Sequence, residues 1–181
     1  MAGFRETSLA LFAALELAGG RVLEAIALAL RLERGFFAPT VEDGNSVLRY
    51  LHYPPVAAAA AGAIRAAAHE DINAITLLLG AEEAGLELLT RSGEWLAIAS
   101  TPGALVVNVG DMLQRLTGGA LRSTTHRVVN PWGEGARRSR YSMPFFLHFR
   151  PDYLIQPMAG DEPAITADDF LQQRLREIGL L

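Results

Sequence analysis

The chain contains no cysteine and no lysine; all sixteen of its basic residues are arginine. Without cysteine there are no disulfides, no thiolate nucleophile and no sulfur-bound metal site. Without lysine, Schiff-base chemistry and a phosphate-binding P-loop are both excluded, and a small carboxylate must be held by the planar fork of an arginine. Histidine is scarce too, with four in all, at positions 52, 69, 126 and 148. No run of about 18 uncharged apolar residues is present, so a membrane span is not expected. The net charge is −4 and the arginines are scattered. A nucleic-acid surface would need a basic stripe to neutralise phosphates, so that class is set aside.

What is present is a chain of 181 residues, half of them hydrophobic, with a mean hydropathy of +0.20. That length is enough for one domain with a real core. Arg5, Glu6 and Glu16 interrupt the apolar N-terminus, which reads as an amphipathic helix rather than a signal peptide. The lack of disulfides fits a cytoplasmic protein. From Thr7 to Leu32 apolar residues recur at helical spacing (Leu11, Leu15, Val22, Ile26, Leu30), with a kink or break expected at Gly19-Gly20. Residues 35–45 read as a turn-rich linker. From Ser46 to Phe149 about eight short strand-like runs follow, MLQRLT among them, separated by Gly and Pro. That texture predicts an antiparallel sandwich or barrel. Residues 56–68 are alanine-rich, which favours helix, yet they lie between two strands. The tail after Pro151 ends in a short helix from Asp168 to Ile178, with Thr166 as its N-cap. The domain organisation expected is therefore 1–45 helical segment and linker, 46–150 β core, and 151–181 tail.

Three clusters carry chemistry. In AAAHEDINAITLLLG, His69 and Asp71 are two apart, which on a strand puts both on one face and turns Glu70 away. Standing alone, such a pair is commonly a solvated strand end. His126, in LRSTTHRVVNP, is far enough downstream for the chain to return to the same place. Two histidines and one carboxylate make a facial triad, the ligand set that leaves open positions on octahedral iron(II). In RSRYS, Arg138, Arg140 and Ser142 alternate on one strand face, where Arg140 and Ser142 suit a carboxylate, although an ordinary surface strand has the same pattern. Met143, Phe145, Phe146, Trp95 and Trp132 read as packing residues. His52 and His148 read as structural or surface residues, and Gly103 and Gly110 as turn glycines.

HEDINAITLL, GEWLAIASTPGALVVNVGDMLQRLTGG, STTHRVVNP and RSRYSMPFF, in that order, resemble the C-terminal catalytic half of the isopenicillin N synthase-like iron(II)/2-oxoglutarate oxygenases. LRYLHYPP resembles the family's strand leading into the site. The resemblance implies a mainly β fold with flanking helices around a double-stranded β-helix, the jelly-roll or cupin-like core. It implies His69, Asp71 and His126 as iron ligands, and Arg140 and Ser142 as the grip on the distal carboxylate of 2-oxoglutarate. Tyr53 matches a tyrosine that assists co-substrate binding, while Leu51 stands where many members have Asn. The resemblance also makes 56–68 a loop.

The function implied is a dioxygenase that uses iron(II), 2-oxoglutarate and dioxygen to hydroxylate or desaturate a small molecule, releasing succinate and CO2. No catalytic residue is expected beyond the metal ligands, and none of this points to nucleic acid or membrane. A 2-oxoglutarate-independent iron oxidase of the isopenicillin N synthase type, and a truncated, inactive fragment, are alternatives. The family's N-terminal strands and helices have no counterpart ahead of Phe4. A sheet left uncovered by that segment is expected to invite self-association or a partner chain.

Overall fold

The computed structural model describes residues 3–56, 64–79, 85–99, 101, 103–130 and 133–181. Two four-stranded antiparallel sheets organise it. One runs in the order β1 (Val47–Leu48), β10 (Pro144–Leu147), β4 (Ile75–Leu79), β7 (Leu105–Val109). The other runs β3 (Ala66–His69), β8 (His126–Val128), β5 (Leu86–Leu89), β6 (Trp95–Ala97). β2 (Leu51–Tyr53) pairs with β9 (Arg140–Ser142), and β11 (Leu154–Ile155) with β12 (Ile165–Thr166). This is the double-stranded β-helix with flanking helices that the resemblance implies.

Alternation along the strands separates core from cavity. On β4, Ile75 and Leu77 are fully buried beneath helix α1 (Phe4–Ala29), whereas Thr76 and Leu78 point into the space enclosed by the sheets. On β10, Phe145 and Leu147 join that core, and Pro144 and Phe146 face the cavity. α1 offers the sheet a stripe at four-residue spacing, Leu15, Gly19, Leu23 and Ala27. Phe12 beside it meets Phe145 edge-on at 5.0 Å. Each large side chain buried here contributes about 1.5–3 kcal/mol.

Several expectations from the sequence are corrected. α1 is unbroken at Gly19-Gly20. A Cβ on Gly19 would lie 2.9 Å from Leu147 Cδ2, so this glycine brings the helix close to the sheet rather than breaking it. MLQRL of the run MLQRLT is helical, within α3 (Asp111–Leu116), with Thr117 as the C-cap. Its apolar residues Met112, Leu113 and Leu116 gather on one buried face, a helical spacing too short to stand out in the sequence. Within the expected linker, α2 (Ala38–Val41) forms one turn. Of the loop at 56–68, residues 57–63 lie outside the described residues, as does Trp132, and its end, from Ala66, is strand β3. Gly110 starts α3 with φ −101° and takes no left-handed turn; a Cβ there would meet the Asn73 carbonyl oxygen at 2.0 Å. It is a point of close backbone approach. Thr166 caps α4 (Ala167–Glu177), accepting a hydrogen bond from the Asp169 amide at 3.1 Å.

Candidate active site

The strand register brings the first two clusters together. β3 pairs with β8 so that His69 lies directly opposite His126, their ring centroids 4.3 Å apart. β3 ends at His69, so Asp71 follows in the connection to β4 rather than sharing a strand with it. Its backbone is held from behind by α3, the Asp111 amide donating to the Asp71 carbonyl at 2.8 Å. Asp71 Oδ1 lies 3.7 Å from His126 Nε2 and 4.0 Å from His69 Nε2. One ligand atom from each residue falls within 4.8 Å of the others. Asp71 and His126 are buried and His69 faces the opening.

Hydrogen bonds around these groups fix which atoms face inward. The Nδ1–H of His69 donates to Ala67 O at 2.7 Å, and that of His126 to Thr124 O at 3.0 Å. A carbonyl only accepts, so each ring holds a proton on Nδ1, and Nε2 is the nitrogen turned toward Asp71. Thr76 donates its hydroxyl proton to Asp71 Oδ2 at 2.7 Å and accepts from Asn73 Nδ2 at 3.1 Å. That leaves Oδ1 turned toward the two histidines. Two imidazoles and one carboxylate, each oriented by a second hydrogen bond, suit a divalent metal of the iron(II) class. Glu70 turns away, as expected, and accepts from the Thr125 hydroxyl at 2.8 Å.

The triad lines a cavity of about 210 Å³ between the sheets, together with Arg140, Ser142 and Tyr53. β2 and β9 place Tyr53 opposite Arg140 and Leu51 opposite Ser142. The Arg140 guanidinium lies 5.4 Å from the centre of the Tyr53 ring, and Arg65 lies 5.8 Å from the same ring. Arg140 is 3% exposed and Ser142 is buried beside it. Arg138 precedes the strand and is exposed. A buried arginine and a hydroxyl at the wall of a small cavity can bind one carboxylate through a fork and a further donor.

Sequence reasoning missed several lining residues. Thr76 holds Asp71, and Asn108 and Arg49 also face the cavity. Phe146 was grouped with Phe145 as packing, but only Phe145 is core. The period-2 step from Arg140 through Ser142 and Pro144 to Phe146 carries that signal, as does the step from Tyr53 back through Leu51 to Arg49. His52 is exposed, stacked on Tyr141 at 4.8 Å and within 3.0 Å of Ser139 Oγ. His148 is buried, and burial pulls its pKa down to about 4. Among the described residues no helix is long and apolar enough to cross a membrane.

The 2OG-Fe(II) oxygenase superfamily model matches residues 42–149. A 2-oxoglutarate-Fe(II) type oxidoreductase of Aspergillus fumigatus is 40% identical over 156 residues, which cover 84% of this chain and 45% of the relative. A protein of the same description from Emericella nidulans is 37% identical, over 93% of this chain and 50% of its own. The chain thus spans about half the length of these curated relatives. Among solved structures, a 2OG-Fe(II) oxygenase family protein from Caulobacter crescentus is 57% identical, with a TM-score of 0.91 over 97% of this chain and 60% of that one. The Neurospora crassa T7H, solved in complex with alpha-KG (2-oxoglutarate), is 30% identical, with a TM-score of 0.89 over 97% and 58%.

Proposed function

The chain belongs to the 2OG-Fe(II) oxygenase superfamily, and from that premise we propose that it is the catalytic core of an iron(II)- and 2-oxoglutarate-dependent dioxygenase acting on a small molecule. The observation that carries this reading is the convergence of His69, Asp71 and His126 on one point in a cavity that also holds a buried arginine. When bound, iron and 2-oxoglutarate supply the chemistry: dioxygen is reduced, 2-oxoglutarate is converted to succinate and CO2, and a C–H bond of the substrate is oxidised.

The residues of the chain bind, orient and exclude water. His69 and His126 offer Nε2, because their Nδ1 protons are committed to backbone carbonyls. Asp71 offers Oδ1, its other oxygen being held by Thr76. Arg140 and Ser142 grip the distal carboxylate of 2-oxoglutarate, and Tyr53 packs against the arginine and keeps it in the wall. Leu78, Leu86, Val128 and Phe146 line the remaining space and keep it dry, which limits side reactions of a strong oxidant. The isopenicillin N synthase-like motif order supports placing residues 46–150 as the oxygenase core. The segment 1–45 buttresses it through α1, and 151–181 forms the tail. The absence of cysteine suits a cytoplasmic setting.

The test is 2-oxoglutarate turnover by the purified chain with iron(II) in air. We expect slow succinate release without added substrate, abolished in Asp71→Ala. Dioxygen uptake with no 2-oxoglutarate consumed would move the reading to a 2-oxoglutarate-independent oxidase. A folded chain that neither binds nor consumes 2-oxoglutarate would overturn it.

A further inference from the structure

The cavity has a second arginine that 2-oxoglutarate does not require. β1 and β2 lie in one continuous register against β10 and β9. Tyr53 opposes Arg140, Leu51 opposes Ser142, and Val47 opposes Phe146. Arg49 falls in step between them, its amide donating to the Pro144 carbonyl at 3.0 Å. Arg49, Leu51 and Tyr53 therefore share the face that lines the cavity. Along this wall Arg49 stands four residues from Tyr53, roughly 13 Å at strand rise. The two cations thus occupy opposite ends of one wall, Arg140 buried beside Tyr53 and Arg49 exposed at the rim.

The described lining carries two arginines, Arg49 and Arg140, against one carboxylate, Asp71. With the cofactors of the proposed function in place, the metal dication offsets the 2-oxoglutarate dianion and Asp71 offsets Arg140. Arg49 is left over. No carboxylate among the described residues pairs with it, and its guanidinium lies instead 5.2 Å from the centre of the Phe146 ring. An arginine backed by an aromatic face, at the mouth of a pocket whose walls also carry Leu51, Leu78, Leu86 and Val128, suits an anionic group attached to an apolar body.

We propose that Arg49 is the specificity residue for a carboxylate on the substrate, so that the enzyme acts on an apolar monocarboxylic acid whose carboxylate pairs with Arg49 at the rim and whose hydrocarbon part passes Phe146 toward the metal triad. This rests on the function proposed above and deepens it.

The experiment is anaerobic isothermal titration of the chain loaded with iron(II) and 2-oxoglutarate. Benzoate, 3-phenylpropanoate and octanoate are each compared with their own amide. At least one acid is expected to bind tenfold or more tighter than its amide. That preference should vanish in Arg49→Gln, persist in Arg49→Lys, and leave 2-oxoglutarate affinity unchanged in both. Equal binding of acids and amides, no acid binding to a chain that binds 2-oxoglutarate, or a preference that survives Arg49→Gln overturns the proposal. So does a tenfold loss of 2-oxoglutarate affinity in Arg49→Gln, which would make Arg49 a second grip on the co-substrate. Failure of the unaltered chain to bind 2-oxoglutarate overturns the proposed function and takes this inference with it, so the two failures are told apart.

Discussion

Two recesses among the described residues differ in character, and the larger of this pair is the less reactive. A cleft of about 590 Å³ lies between α3, α4 and the segment around Gly160, against about 210 Å³ for the cavity between the sheets. In the cleft, charge is largely matched within the protein: Arg115 pairs with Glu162, and Arg174 pairs with both Asp111 and Glu177. The Arg174–Asp111 pair binds the C-terminal helix to α3, and Arg115–Glu162 binds the segment around Gly160 to it. In the cavity, Asp71 faces the Nε2 atoms of two imidazoles, and Arg49 meets no carboxylate among the described residues. Residues that satisfy one another hold a fold together, whereas residues turned toward a common point are arranged to hold a ligand. Volume does not separate the two cases; the direction in which each donor atom is turned does.

The largest effect that sharpens this contrast is on co-substrate binding. Arg140→Gln should lose about 4 kcal/mol of 2-oxoglutarate affinity, the cost of removing one partner from a buried charge pair. Arg174→Gln in the cleft should change that affinity less than twofold. Equilibrium dialysis with labelled 2-oxoglutarate measures both, and equal losses would erase the distinction.

The next effect is on acid stability, where a buried histidine and a carboxyl of the cleft act with opposite sign. Burial lowers the His148 pKa from 6.5 to about 4, so the unfolded chain binds the proton first. Its contribution is present above 6.5 and is lost as pH falls toward 4, about 3 kcal/mol in full. Burial raises the Asp111 carboxyl above 3.8, with Arg174 opposing it. A raised carboxyl contributes stability below 3.8 that is lost as pH rises through its folded value. Urea unfolding from pH 4 to 7 should therefore steepen in Asp111→Asn and flatten in His148→Leu.

Smaller is the effect of Thr76→Val, which frees Asp71 Oδ2 and should weaken iron(II) binding about tenfold while leaving α4 untouched. Smallest is Thr166→Ala. Loss of the α4 cap should cost about 1 kcal/mol and raise amide exchange along α4, which lines the cleft. Iron affinity should not move.

Much of the site is legible in the sequence, for a physical reason. A metal triad and a carboxylate grip require particular residue types, and with four histidines and no lysine or cysteine few combinations exist. Strand alternation then links Arg140 to Ser142 without knowledge of the fold. What the sequence hides is proximity created by register and by backbone contact. Thr76 reaches Asp71 only because a tight connection folds β4 back, and α3 packs there only because Gly110 admits the Asn73 carbonyl. Arg49 shares the period of Tyr53, but the sequence does not show that this face of the run lines a cavity rather than the surface. The helix at Asp111–Leu116 was read as a strand since six residues hold too few turns to display a 3.6-residue period.

Anaerobic iron(II) titration of the chain tests the central claim most directly. The geometry of His69, Asp71 and His126 predicts one equivalent bound, lost in Asp71→Ala and in His126→Ala and retained in Asp111→Asn, with each variant folded by circular dichroism. Binding that survives both cavity substitutions, or that is lost with Asp111 instead, would contradict it.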